Sequence, residues 1–172
     1  MEGFVLHNRR YRETSLLVEL LTKNRGRITV IARGAFKKKS PLSELLHTQT
    51  RLSIQLTGKT DLQKLVSAEP IEGYKNIVGK ALFPLLYVNE LVSAFTLQND
   101  PNPELYRSYL QFVRLLDRTE DIEAILRIFE LDLLHAIGLS LNLEQVTGTL
   151  EKVKAECDYK YVAGLGVVAR AQ

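Results

Sequence analysis

The sequence predicts an α+β protein with two domains: an N-terminal OB-fold, which is a five-stranded β-barrel, and an α-helical domain with a small C-terminal β-hairpin. In residues 1–70 apolar and polar side chains alternate with period two between turn signals, and from residue 77 the period becomes three to four. The net charge changes sign near the same place. Residues 1–64 hold 13 Lys and Arg against 5 Asp and Glu, whereas residues 65–172 hold 10 Lys and Arg against 15 Asp and Glu. We expect a basic barrel over residues 1–74 and an acidic helical domain over residues 75–172.

The barrel strands are predicted from short alternating segments. Residues 4–9 and 15–22 form the first two strands, and the turn after them ends at Gly26, which is free to take a positive φ. The third strand has an apolar face and a polar face, with Arg27 and Arg33 on the polar one, and Gly34 ends it. Residues 51–57 alternate most regularly, and a turn through residues 57–61 leads to a fifth strand over residues 62–68.

A short helix completes the order of the barrel. Ser40 and Pro41 are typical of a helix start, as the N-cap and the first helical residue, and predict a helix over residues 42–46. Three strands, a small helix and two more strands follow one another in an OB-fold, a barrel that often binds oligonucleotides. Periodicity alone leaves another small β-meander as an alternative.

The helical half is predicted from three segments with apolar stripes. The first has Leu82, Leu85, Val92 and Phe95 near one face and Pro84 in its first turn. The second starts at the cap Asn102-Pro103-Glu104, and the third runs from residue 122 to a stop at Gly138. Residues 159–168 predict the hairpin, and the boundary between the halves falls in residues 70–76.

The residue inventory argues against an enzyme, a metal site and a membrane protein. Cys157 is the single cysteine, and His7, His47 and His135 are scattered. The triplet Gly58-Lys59-Thr60 resembles the end of a phosphate-binding loop, but Ser53 stands where that motif needs a glycine, so a hairpin turn is favoured. No signal peptide and no apolar run near 18 residues is present. We expect a cytoplasmic protein without a cofactor.

The cations of the basic half are the candidate functional residues. In an OB-fold the second and third strands, with the loops after the first and fourth, form the binding face. Cations there suit a polyanion, and the rings of Tyr11 and Phe36 either stack on bases or belong to the core. Arg25, Arg51 and Lys64 are further cations of this half. The predicted DNA-binding residues are Arg9, Arg10, Arg12, Arg27, Arg33, Lys37, Lys38, Lys39 and Lys59.

Several segments of the chain resemble RecO, a family of bacterial recombination mediators. In the first half these are RETSLL (residues 12–17), ARGA (residues 32–35) before a basic loop, and LVSAEPIE (residues 65–72). In the second half they are YVNELVS (residues 87–93) and LRIFELDLLHAIGLSLN (residues 126–142). The resemblance spans nearly the whole chain. It departs from the family at residues 47–51, where relatives often have Gln-Pro-Phe-Thr-Pro, and after the hairpin, where relatives continue with further helix.

The resemblance implies a DNA repair function without enzymatic turnover. Members of the family bind single- and double-stranded DNA, anneal complementary strands and, with RecR, help RecA load onto DNA coated by the single-stranded-DNA-binding protein. The acidic tail of that protein docks on the helical domain, where Arg127 matches the basic position of the family motif. Some members carry a four-cysteine zinc site, which Cys157 alone cannot form. The implied location is the cytoplasm, at the nucleoid.

Two other binding functions fit the residues alone. One is a protein-interaction adaptor whose basic barrel binds an acidic peptide, and the other is an RNA-binding OB module. An enzyme is the least supported class, because no catalytic group of residues emerges. A salt titration separates the first alternative from a nucleic-acid binder, whose affinity falls steeply and linearly on a log–log scale.

Overall fold

The N-terminal half is a closed five-stranded barrel. The structure, a computed structural model, describes residues 1–37, 40–46, 50–58, 60, 62–71, 77–116 and 118–170. The strands are β1 (Glu2–Tyr11), β2 (Ser15–Thr22), β3 (Gly26–Ala32), β4 (Arg51–Thr57) and β5 (Gln63–Pro70), with helix α1 (Pro41–Leu45) between β3 and β4. Their spatial order is β1-β2-β3-β5-β4, with β4 pairing back to β1 and with β3 and β5 parallel. This topology confirms the predicted OB-fold.

The barrel interior is filled by the apolar side of each alternating strand. Ile28, Val30 and Ala32 are buried while the residues between them are half-buried, so the period-two prediction for β3 is confirmed. Leu46 follows α1 and is buried in this core, and its carbonyl oxygen accepts a hydrogen bond from the side-chain amide of Asn8. Burial of each larger aliphatic side chain, such as Ile28, Val30 and Leu46, contributes roughly 1.5–3 kcal/mol to folding.

In the described part of the C-terminal half there are three α-helices, preceded by a 3-10 turn (Gly79–Ala81) and followed by a hairpin. The helices are α2 (Leu82–Phe95), α3 (Pro103–Leu116) and α4 (Ile122–Ala136), and the hairpin strands are β6 (Tyr159–Val162) and β7 (Gly166–Ala169). The predicted cap of α3 is confirmed, because Asn102 Oδ1 accepts a 2.9 Å hydrogen bond from the Leu105 amide. Leu85 and Val92 are buried, whereas Phe95 at the end of α2 is 55% exposed. The predicted boundary falls mostly on residues 72–76, outside the described ranges. None of the described helices is long and apolar enough to cross a membrane.

Strand β1 contributes side chains to the cores of both halves. Val5 points into the barrel core, and its neighbours Phe4 and Leu6 point outward into the core of the helical half. The Phe4 ring centroid lies 4.9 Å from that of Tyr109 and 5.7 Å from that of Tyr106, both on α3. The barrel and the helices therefore pack against each other through apolar and aromatic side chains.

A polar junction lies inside this apolar contact. The pairing of β1 with β2 shifts register between Val5 and His7, so Leu6 has no partner strand residue. Asn89 of α2 donates its side-chain amide to the Leu6 carbonyl oxygen and accepts a 2.6 Å hydrogen bond from the Tyr109 hydroxyl. Burial raises the pKa of Tyr109, which keeps its phenol protonated as a donor.

Candidate nucleic-acid interface

One row of residues crosses four strands on the outer face of the barrel. The strand register pairs Arg9 with Leu17, Leu17 with Ile31, and Ile31 with Lys64. Leu16 and Ala32, the sequence neighbours of the two central residues, point into the barrel core, so the row faces outward. With strands about 4.8 Å apart, the two cations of the row stand roughly 14 Å from each other.

The row combines exposed cations with an apolar centre. Arg9 and Lys64 are exposed, and Leu17 and Ile31 between them are half-buried. The ion pairs among the described residues involve neither cation. Such a surface can neutralise phosphates at its edges and contact apolar groups at its centre.

More cations lie where this face meets the end of the barrel. Arg10 is exposed near the end of β1, and Arg12 is exposed in the turn that follows. Arg12 has a φ of 55°, a left-handed conformation that is uncommon for a side chain of this size. Arg33 and Lys37 are exposed on the loop after β3. The amide of Phe36 donates a 3.0 Å hydrogen bond to the Thr14 carbonyl, which ties this loop to the β1–β2 turn.

Two aromatic rings at this end of the barrel are each in contact with an arginine guanidinium group. The Cζ atom of Arg10 lies 3.9 Å from the centroid of the Phe36 ring, and that of Arg12 lies 5.2 Å from the centroid of the Tyr11 ring. Both distances are within the range of cation–π contacts. Phe36 is 41% exposed, so it is a surface residue rather than a core residue.

Arg27 is separated from the other predicted DNA-binding residues. Its guanidinium contacts Glu19 Oε1 and the Thr96 carbonyl oxygen, each at 2.6 Å, and only 13% of the side chain is exposed. The backbone of Asn99 also donates a 2.8 Å hydrogen bond to the Arg27 carbonyl. The segment after α2 thus covers this end of β3, and Arg27 serves the contact between the barrel and the helical half.

Four further lysines bear on the outer face of the barrel, and the structure describes one of them, Lys64. Lys38, Lys39 and Lys59 lie outside the described residues, and the structure does not place them. Lys64 was not among the predicted DNA-binding residues, yet the parallel pairing of β3 with β5 puts it beside Ile31. Its alternation within the fifth strand was a usable signal, but only the pairing of distant strands identifies its neighbours.

Arg127 lies on the outer side of α4. Its side chain is 64% exposed, and its guanidinium forms a 2.5 Å ion pair with Glu130. Glu130 also accepts a 2.8 Å hydrogen bond from the Tyr87 hydroxyl of α2, and this bond raises the pKa of Tyr87. Leu131, four residues after Arg127 and therefore on the same face of the helix, is also exposed.

The part of the chain that the structure describes offers no metal site. It contains no group of three His, Cys, Asp or Glu residues that could hold an ion, and Cys157 is exposed and free.

Two family models match this chain, and together they cover most of it. The model described as Recombination protein O N terminal matches residues 1–74. The model described as Recombination protein O C terminal matches residues 79–168.

Individual relatives are similar over the same length. A protein of Actinobacillus pleuropneumoniae serotype 7 (strain AP76), named DNA repair protein RecO, is 39% identical over 168 residues, which are 97% of this chain and 70% of the relative. A protein of the same name from Haemophilus influenzae (strain PittGG) is 40% identical over 167 residues, 97% of this chain and 71% of the relative. A third, from Mannheimia succiniciproducens, is 37% identical over 166 residues, 96% of this chain and 73% of the relative.

Proposed function

We propose that this chain, which belongs to the RecO family of DNA repair proteins, binds single- and double-stranded DNA on the outer face of its barrel. Bound there, it anneals complementary strands and, with RecR, helps RecA load onto DNA coated by the single-stranded-DNA-binding protein. It does so by binding alone, without catalysing a reaction, and it works at the chromosome in the cytoplasm.

The row from Arg9 to Lys64 is the observation that carries this proposal. Its two cations are exposed, and no described acid pairs with either of them. Each cation placed against a phosphate releases condensed counterions, which favours binding of any DNA sequence. The apolar pair Leu17 and Ile31 between the cations suits the bases or sugars of a single strand.

A salt titration of the double variant Arg9→Ala, Lys64→Ala tests this surface. Each phosphate contact to single-stranded DNA contributes roughly −0.7 to the slope of log affinity against log salt, so losing both makes the slope shallower by about 1.4. The matched control is Lys152→Ala, Lys160→Ala, which removes the same charge from exposed positions in the acidic half. A wild-type slope in the double variant rejects the row as the DNA surface. One-to-one binding of an acidic peptide with no DNA binding favours the adaptor instead.

The outer side of α4 supports the proposed contact with the tail of the single-stranded-DNA-binding protein. A peptide that ends in acidic residues and a C-terminal phenylalanine needs a cation beside apolar side chains. Arg127 provides the cation, and the exposed side chains of Leu131 and Tyr87 provide apolar surface beside it. The Arg127–Glu130 ion pair must open for the peptide carboxylates to bind.

A further inference from the structure

The pair formed by Arg10 and Phe36 has the features of a stacking site. The guanidinium lies 3.9 Å above the ring centroid, and the ring is 41% exposed. From this arrangement we propose that the pair binds one unpaired nucleobase of single-stranded DNA, which lies on the outer face of the Arg10 guanidinium. The inference rests on the proposed DNA-binding function and adds to it a preference for unpaired bases.

The backbone holds both members of the pair in place. Arg10 belongs to β1, where its register partner is Leu16 of β2. Phe36 is fixed through the hydrogen bond from its amide to the Thr14 carbonyl in the turn between these strands. The two side chains therefore come from segments that are bonded to each other, and a base would meet a surface that is already formed.

The charge of Arg10 is available for a ligand. Among the described residues no carboxylate forms an ion pair with it. A guanidinium is planar and weakly hydrated on its faces, so it stacks both on an aromatic ring and on a nucleobase. The Phe36 ring lies on one side of this guanidinium, and because Arg10 is exposed, part of the group remains accessible to a base.

This geometry predicts discrimination between single and double strands. Every base in a duplex is stacked between its neighbours and paired, so its face is not accessible without unstacking. A single strand exposes base faces, and stacking of one base on a protein side chain changes the affinity by roughly five- to hundredfold. The stacking contribution does not depend on counterion release, so it is separable from the phosphate contacts.

The test compares oligothymidine with an abasic oligonucleotide of the same length, which keeps the phosphates and lacks the bases. Arg10→Lys keeps the charge but loses the planar group, and Phe36→Leu keeps the charge and removes the ring. Both variants are expected to bind oligothymidine about tenfold more weakly. Their affinities for the abasic strand and for a duplex, and the slope against salt, are expected to equal those of the wild type. Phe36→Tyr, which keeps a ring, is expected to restore wild-type binding.

The control is Arg114→Lys, the same exchange at an exposed arginine of α3. Wild-type affinity of Arg10→Lys for oligothymidine overturns the inference, as does an equal loss for the abasic strand. If the wild type binds both oligonucleotides equally, DNA binding stands and the stacking site is rejected. If it binds neither, the proposed DNA-binding function itself fails. If Phe36→Leu does not fold, the affinity of Arg10→Lys for oligothymidine and for the abasic strand tests the stacking site by itself.

Discussion

The side-chain amide of Asn89 donates a 2.9 Å hydrogen bond to the carbonyl oxygen of Leu6, where β1 leaves the register of its partner strand. A buried carbonyl without a partner costs free energy, and the bulge would leave Leu6 in that position. Asn89 removes this cost and at the same time joins α2 to the barrel. The hydroxyl of Tyr109 occupies the amide oxygen, so both ends of the Asn89 side chain are used.

Asn89→Ala is expected to lower the free energy of unfolding by on the order of 2–4 kcal/mol, because it leaves both the Leu6 carbonyl and the Tyr109 hydroxyl buried without partners. Urea denaturation followed by circular dichroism measures this loss. Asn24→Ala, at an exposed position in the turn between β2 and β3, is the control and should change stability by less than about 0.5 kcal/mol. Equal effects of the two substitutions would contradict the role of Asn89.

Replacing Lys37, Lys38 and Lys39 by alanine tests the run of three lysines that follows β3 in the sequence. Lys37 is exposed there, close in sequence to Phe36. If two or so of these lysines contact phosphates, the slope of log affinity against log salt becomes shallower by about 1–2 units, and annealing falls with affinity. Thermal stability should barely change if the three charges are as exposed as that of Lys37, since exposed charges contribute little to folding. The control is the triple change at Lys152, Lys154 and Lys160, which removes the same charge from exposed positions in the acidic half. If both triple variants keep the wild-type slope, the lysines after β3 do not contact phosphates.

Arg127→Ala is expected to weaken binding of the tail peptide of the single-stranded-DNA-binding protein roughly tenfold, because a charge-assisted hydrogen bond to a carboxylate is lost. Naked-DNA binding and the melting temperature should stay unchanged. Fluorescence anisotropy with a labelled peptide measures the effect, and Arg114→Ala on α3 is the control for loss of an exposed cation. An unchanged Kd in Arg127→Ala rejects the assignment.

Glu130→Gln should act in the opposite direction. The substitution removes the carboxylate that pairs with Arg127 but keeps an oxygen that can accept the Tyr87 hydrogen bond. With the competing ion pair gone, peptide affinity should rise about two- to fivefold, the range set by an exposed ion pair. A loss of affinity would mean that Glu130 itself contacts the peptide.

Annealing of complementary strands is expected to proceed in the presence of a chelator and without ATP. The proposed activity comes from binding alone, through cations and apolar side chains that need neither a metal ion nor a nucleotide. Gel analysis of labelled strands with and without EDTA, magnesium and ATP checks this expectation. Strict dependence on either addition is the outcome that would refute it.

The fold was predictable because its signals are local. Alternation in β3, the proline at the start of α1 and the asparagine cap of α3 each depend on residues a few positions apart. Gly26 is an example of a residue whose long-range contact could not be predicted from local signals. Its positive φ was expected from the turn, but a β-carbon at this position would also lie 1.8 Å from the Asp100 carbonyl oxygen, a contact made across more than seventy residues.

The candidate site was predictable only in part, for the same reason. Alternation places Arg27 on the outer face of β3, and that face is outward as expected. What alternation cannot encode is that Thr96 and Asn99, from the segment after α2, cover that end of the strand. Likewise, the place of Lys64 beside Ile31 depends on two strands that are far apart in sequence.

Because β1 contributes side chains to both cores, the two segments matched by the family models are not expected to fold as separate domains. A fragment ending at residue 74 would present Phe4, Leu6 and Leu21 to water, since these side chains belong to the core of the helical half. A contiguous apolar patch of this kind promotes self-association. The intact chain should therefore melt in a single calorimetric transition, and the isolated barrel should aggregate as its concentration rises. The two matched segments would then form one cooperative folding unit, and neither would fold stably alone.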